Sequence, residues 1–286
     1  MNHEKKADSI FKNIARYSAS NLYRHILGLL TAFIRPKLLM PEMYGLWSLL
    51  NIIPTYSSYL HLGSRSSMRF LIPYYESRRD QKKIQEIKGN VFHGTLYMNL
   101  FFFGVLILFA FRSGLSMEVK AGLIASSLIV MLTCYYEHYI SLLKGYQKFG
   151  LVSASNVLRA TITFILSAVL IYYFGIYGAF TSVIFSLLMT IFFLKARQVL
   201  EHHFGFQMGA FLRIVKMGFP ILLFNIVAVL LRTFDKIIVS FFLGNEQLGY
   251  YGISTMILGA LMNIPGVSRE VLEPRHHGFR PKLAWT

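Results

Sequence analysis

Apolar runs long enough to cross a bilayer recur from one end of this chain to the other. A hydrocarbon core of about 30 Å takes about 20 helical residues, each rising about 1.5 Å. Runs of that length cover residues 18–38, 44–62, 91–111, 121–142, 151–173, 178–194, 219–242 and 249–265. Inside lipid every backbone N–H and C=O has to be satisfied within its own segment, so successive runs of this kind fold as helices. The expected fold is all-α, a polytopic transmembrane helical bundle of about eight helices. Composition agrees, since 55% hydrophobic against 15% charged residues is too apolar for a soluble domain of 286 residues.

A formal net charge of +16 raises the question of a nucleic-acid partner, and the placement of the charges argues against it. Lys and Arg sit between the apolar runs, where they meet membrane lipids and set orientation, and they form no basic stripe. The N-terminal tail, every second connector and the C-terminal tail hold 21 of the 29 basic residues. Arg35, Lys37, Arg112 and Lys120 fall at or near the other surface, which makes the N-terminus cytoplasmic. Residues 63–90, with seven basic residues mixed with acids, read as a solvated cytoplasmic loop; an interfacial amphipathic helix is the alternative. The first run is broken by Asn21, Arg24 and His25, a poor signal-peptide core, so the first helix stays in the protein.

At an offset of 204 the chain resembles itself. Leu39-Met-Pro-Glu42-Met-Tyr-Gly45-Leu-Trp47 aligns without a gap on Leu243-Gly-Asn-Glu246-Gln-Leu-Gly249-Tyr-Tyr251, and Asn21 falls on Asn225. The first span then matches the seventh, so one repeat holds six spans and the two copies share an orientation. The expected organisation is a six-helix lobe over residues 1–194, a cytoplasmic linker over 195–217, and the start of a second lobe with an unpatterned polar tail over 218–286.

Charged groups near mid-bilayer cost about 2.5–3.5 kcal/mol on insertion scales and turn toward protein or water rather than lipid. They are the functional shortlist. Asn21 and Arg24 share a face of the first span; Asn225 and Arg232 share one in the seventh, where Asp235 follows Arg232 by three. Arg232 and Asp235 form either an ion pair or part of a binding site, and Arg24 either snorkels or faces a cavity. Arg159, three after Asn156, has the same two readings. Glu137 and His138 read as the fourth span reaching the headgroups, with proton relay as the alternative. Cys134 is the sole cysteine, and the pairs His202-His203 and His276-His277 lack carboxylates at ligand spacing, so no metal or cofactor is expected. Nor is enzymatic activity, since the sequence holds no phosphate-cradling loop, nucleophile elbow or HExxH pattern.

These landmarks resemble the polysaccharide (O-antigen type) flippases of the multidrug/oligosaccharidyl-lipid/polysaccharide exporter superfamily. They are the Leu39–Trp47 stretch, Leu62-Gly63, Gly145-Tyr-Gln-Lys-Phe149, Gly175-Ile-Tyr-Gly178, Gly218-Phe-Pro220, Asp235 and Leu248-Gly249-Tyr250-Tyr251, spread over residues 13–265. The resemblance implies two six-helix lobes facing across a cationic cavity in the cytoplasmic (inner) membrane. Its implied substrate is an undecaprenyl-diphosphate-linked oligosaccharide, possible partners being other polysaccharide-assembly proteins. Asn21, Arg24, Arg159, Asn225, Arg232 and Asp235 become substrate-binding candidates. Alternatives are a drug/cation antiporter of the same superfamily, an inactive fragment, and a membrane polysaccharide polymerase. Because the pattern fades after Ser268, with fewer spans than two lobes need, the expectation is a truncated or frame-shifted product.

Overall fold

The computed structural model describes residues 2–112, 114–197, 199 and 205–272; the side chains of 2–15, 225, 228, 232, 256, 257 and 259–272 lie outside the description. Every regular element among the described residues is a helix: α1 (Asn2–Leu50), α2 (Ile52–Ser57), α3 (Ser64–Ser77), α4 (Gln81–Arg112), α5 (Met117–Gly145), α6 (Phe149–Ala196) and α7 (Met208–Leu272).

Three of these are hairpins. One continuous helix would hold Ser167 and Ser182 about 22 Å apart. Their hydroxyls lie 3.0 Å apart, because α6 reverses at Gly175. In the same way α1 reverses at Met40, bringing the Arg35 guanidinium 4.8 Å from the centre of the Trp47 ring, and α7 reverses at Gly244, letting the Tyr251 hydroxyl donate to Asp235. The eight apolar runs therefore fall on the two arms of α1 (the second continued by α2), on α4 and α5, and on the paired arms of α6 and α7. Helices α4, α5 and α6 and the Met208–Thr255 part of α7 are long and apolar enough to cross a membrane. The chain is a multi-pass membrane protein with an all-α bundle fold.

Two connectors differ from their sequence reading. Residues 63–90 are no solvated loop: α3 fills half of them, and α4 begins at Gln81 rather than Val91. The physical reason is that α3 is amphipathic, burying Ser64, Arg65, Ser66, Ser67, Met68 and Ile72 while Phe70 and Tyr74 stay exposed. Within 195–217, the first turns of α7 lie over residues 208–217 and are fastened to α3 and α4. Ser67 Oγ donates to the Ile214 carbonyl at 2.7 Å, the Gln207 N–H donates to Asn90 Oδ1 at 2.7 Å, and the buried Phe211 ring covers Gly94.

The 204-residue offset has a geometric counterpart. Both breaks occur at paired positions, Met40 (φ 63, ψ 162) and Gly244 (φ 83, ψ 177), in a region of backbone space that only glycine enters without strain. The two turns then pack backbone to backbone. A Cβ on Gly45 would collide with the Asn245 carbonyl, and one on Gly249 with the Pro41 carbonyl; 41 pairs with 245 and 45 with 249. Trp47 and Tyr251, also paired, each brace a charged residue on the opposite arm of their own hairpin.

Relieving the strain of about 1–3 kcal/mol at Met40, less about 1 kcal/mol of glycine entropy, makes Met40→Gly neutral to stabilising by about 2 kcal/mol. Gly249→Ala is expected to cost about 1–3 kcal/mol through overpacking. Thermal unfolding of the two variants in detergent, read by intrinsic fluorescence, checks the opposite signs.

Candidate functional site

The first arm of α1 lies along the first arm of α6, and three side-chain hydrogen bonds join them. Asn156 Nδ2 donates to Asn21 Oδ1 at 3.2 Å, the Tyr23 and Thr161 hydroxyls lie 3.0 Å apart, and Arg35 Nη2 reaches Ser167 Oγ at 3.4 Å. The partners rise together in residue number, as parallel helices require.

On one side of this seam is a cavity of about 290 Å³. From α1 it takes Arg24, Gly28, Thr31 and Arg35, whose spacing of four, three and four puts them on one helix face. From α6 it takes Asn156, Arg159, Ala160 and Thr163, again one face, and from α5 Tyr136 and Glu137. Arg24 is exposed and Arg159 half-buried, its guanidinium 4.9 Å from the centre of the Tyr136 ring. Arg35 lies about 16 Å along α1 from Arg24. It is half-buried against Trp47, and its Nε makes no hydrogen bond. Among the described residues no carboxylate comes within ion-pairing distance of the three guanidinium groups. The lining thus holds three cations against one carboxylate, Glu137.

Several sequence readings land differently. Arg24 and Arg159 line one cavity, and Asn21 is buried beside it, spent on holding Asn156. Arg35, read as lying near the outer surface, lines the same cavity; its spacing from Arg24, Gly28 and Thr31 was the signal that finds it. Glu137 and His138, read as the fourth span reaching the headgroups, are placed by the protein itself: Glu137 faces the cavity and His138 is buried to 1% beside Phe92 and Tyr139. Both belong to α5, which runs on to Gly145. Asp235 is apart from this cavity; Oδ2 accepts from the Tyr251 hydroxyl and Oδ1 from the Lys236 N–H at 2.8 Å. The side chains of Asn225 and Arg232, and His202, His203, His276 and His277, lie outside the described residues.

A guanidinium presents parallel N–H donors in a planar fork that matches phosphate oxygens, and away from bulk water each such bond strengthens. Several of them with little carboxylate to compete suit an anionic group and repel a cation. This arrangement sits in a chain whose residues 10–275 match the family model described as polysaccharide biosynthesis protein. The chain belongs to the polysaccharide biosynthesis protein family. No curated protein matches its sequence. Solved structures of similar fold include a MOP superfamily transporter from Pyrococcus furiosus, described as having a binding pocket of reversed polarity that suggests a different function. It superposes with a TM-score of 0.57 at 14% identity, covering 92% of this chain and 68% of that one. An outward-facing multidrug resistance MATE family transporter of the same superfamily gives 0.51 at 15% identity, with 92% and 68% covered. An inward-facing one gives 0.52 at 16%, with 93% and 61% covered. At these identities the likeness is one of fold, and this family member spans about two thirds of the length of the structures it resembles.

The Asn21–Asn156 bond lies between two buried side chains, so Asn156→Ala leaves the Asn21 amide without its partner at a cost of about 1–3 kcal/mol. The double variant Asn21→Ala/Asn156→Ala is expected to cost less than the sum of the singles, a coupling that thermal unfolding of all four proteins measures.

Proposed function

We propose that this chain serves the transmembrane passage of a lipid-linked, phosphate-bearing oligosaccharide in surface polysaccharide synthesis. The observation that carries the reading is the cavity of Arg24, Arg35 and Arg159, three guanidinium groups without carboxylate partners among the described residues, inside a membrane bundle. Moving a diphosphate into hydrocarbon unpaired costs on the order of tens of kcal/mol by Born estimates, and guanidinium forks offset that cost. The polyprenyl tail needs no such help and stays in lipid. The family description supplies the polysaccharide context, and the fold shared with MOP superfamily structures supports a transporter. A cation antiporter would want the opposite charge in its cavity.

In this reading Arg24 and Arg159 take the diphosphate, and Arg35, farther along α1, takes it over as the cargo advances. Residues 1–194 form the first lobe, and 218–286 begin a second that supplies Asn225, Arg232 and Asp235. The basic connectors lie on the cytoplasmic side of the inner membrane, with the N-terminus among them.

Deleting the gene is expected to cause lipid-linked repeat units to accumulate on the cytoplasmic side, and this chain to clear them. Arg24→Ala and Arg159→Ala each remove charge-assisted bonds worth about 1.5–3 kcal/mol, or about 10–100-fold in transport. Lysine at either position is expected to retain part of the activity, keeping the charge without the fork. Full clearance by the Arg24→Ala/Arg159→Ala double variant at normal membrane abundance contradicts the proposal, as does unchanged accumulation on adding the wild-type chain.

A further inference from the structure

On the other side of the α1–α6 seam runs a larger groove of about 720 Å³ whose walls are apolar. Ala19 and Tyr23 of α1 face Ala154, Val157, Leu158 and Ile162 of α6 across it. Its hydroxyls are already satisfied by the protein. Ser20 donates to the Tyr17 carbonyl at 2.8 Å, Ser153 to Phe149 at 2.8 Å and Thr161 to Val157 at 2.9 Å, while Tyr23 pairs with Thr161. What remains exposed to an occupant is hydrocarbon and the faces of rings. From Gly150 to Ile162 the groove follows α6 for about 18 Å, close to one leaflet of a core of about 30 Å.

One mouth is cationic. Arg16 lines it, its Nη1 3.8 Å from where a Cβ on Gly150 would stand. Tyr17, the next residue, packs on Phe149 with ring centres 5.5 Å apart and carries the Lys144 ammonium 5.8 Å from its own centre. Phe193, a lining residue, holds the Arg197 guanidinium 5.5 Å from its ring, and Lys148, next to Phe149, stands outside the lining with its ammonium 5.7 Å from the centre of the Tyr146 ring. Among the described residues none of these four cations is ion-paired. A trough one leaflet deep with a basic rim at its headgroup end is complementary to a molecule with an apolar chain and an anionic head.

We propose that this groove holds one anionic glycerophospholipid, its phosphate among Arg16, Lys144, Lys148 and Arg197 and one acyl chain laid along α6. The lipid braces α1 against α6 from outside while the seam's hydrogen bonds brace it within. The site stands whether or not the inner cavity carries cargo.

The purified full chain in detergent, titrated with phosphatidylglycerol or with phosphatidylcholine of identical acyl chains and read by native mass spectrometry, tests this. The wild type is expected to take up one phosphatidylglycerol in preference to phosphatidylcholine. Arg16→Gln and Lys148→Gln are each expected to weaken phosphatidylglycerol binding about fivefold, from the roughly 1 kcal/mol that a basic residue gains near an anionic headgroup, and to leave phosphatidylcholine binding unchanged. Ala154→Trp and Val157→Trp, both at exposed positions, fill the trough and are expected to abolish binding of either lipid while the protein still elutes as a single species. Equal uptake of the two lipids by the wild type overturns the proposal. So does wild-type binding by both tryptophan variants, or by both glutamine variants.

Discussion

The contact between the first arms of α1 and α6 organises the first half of this membrane protein. Its three hydrogen bonds, at Asn21–Asn156, Tyr23–Thr161 and Arg35–Ser167, join parallel helices at increasing depth, and each ties polar groups that lipid would penalise. Because the two helices touch along a line, their remaining faces diverge on either side of it. One divergence is the polar cavity with its guanidinium groups; the other is the apolar groove. The position of a residue around its helix thus decides its side of the seam, with Arg24 and Arg159 turned to one and Ala19 and Val157 to the other.

The hairpin turns impose a second constraint. Gly45 and Gly249 approach each other's hairpins so closely that any side chain would collide, which holds one end of the α1 hairpin against the same end of the α7 hairpin. At the opposite end Gly63 meets Gly218, again backbone to backbone, and between them the Tyr56 and Thr233 hydroxyls share a hydrogen bond. From Gly218 to Gly249 α7 is therefore seated on the first half of the chain, and the described lining of the arginine cavity comes from α1, α5 and α6.

Much of this was legible in the sequence, because in a bilayer hydropathy and length dictate helices with little competition. The all-α multi-pass bundle follows from the apolar runs, and Arg24 and Arg159, singled out by their charge within those runs, both line the cavity. The connectors were less legible. Residues 63–90 carry so many charges that they read as a loop, yet Met68 and Ile72 recur at helical spacing and bury that face. Arg35 was not singled out as a cavity residue because proximity to Lys37 and Pro36 suggests a surface, whereas its spacing from Arg24 and Thr31 sets it on the cavity face and reversal at Met40 brings Trp47 back over it. That reversal depends on a methionine in a glycine conformation, a feature no hydropathy profile registers. Glu137 and His138 do come late in α5, but the cavity that takes Glu137 and the packing that buries His138 are tertiary features that charge placement alone does not register.

The central claim is that a water-accessible cavity with positive potential lies inside the bundle between α1, α5 and α6. Its most direct measurement uses cysteines at Ala160 and Thr163, in a chain whose buried Cys134 is replaced by alanine, reacted with thiol reagents of opposite charge and matched size. Both positions are expected to react about tenfold faster with the anionic reagent than with the cationic one, a difference of about 1.4 kcal/mol or a potential of about 0.7 kcal/mol per unit charge, and to be protected by undecaprenyl diphosphate. Equal rates for the two reagents, or cysteines that react with neither, would contradict the account.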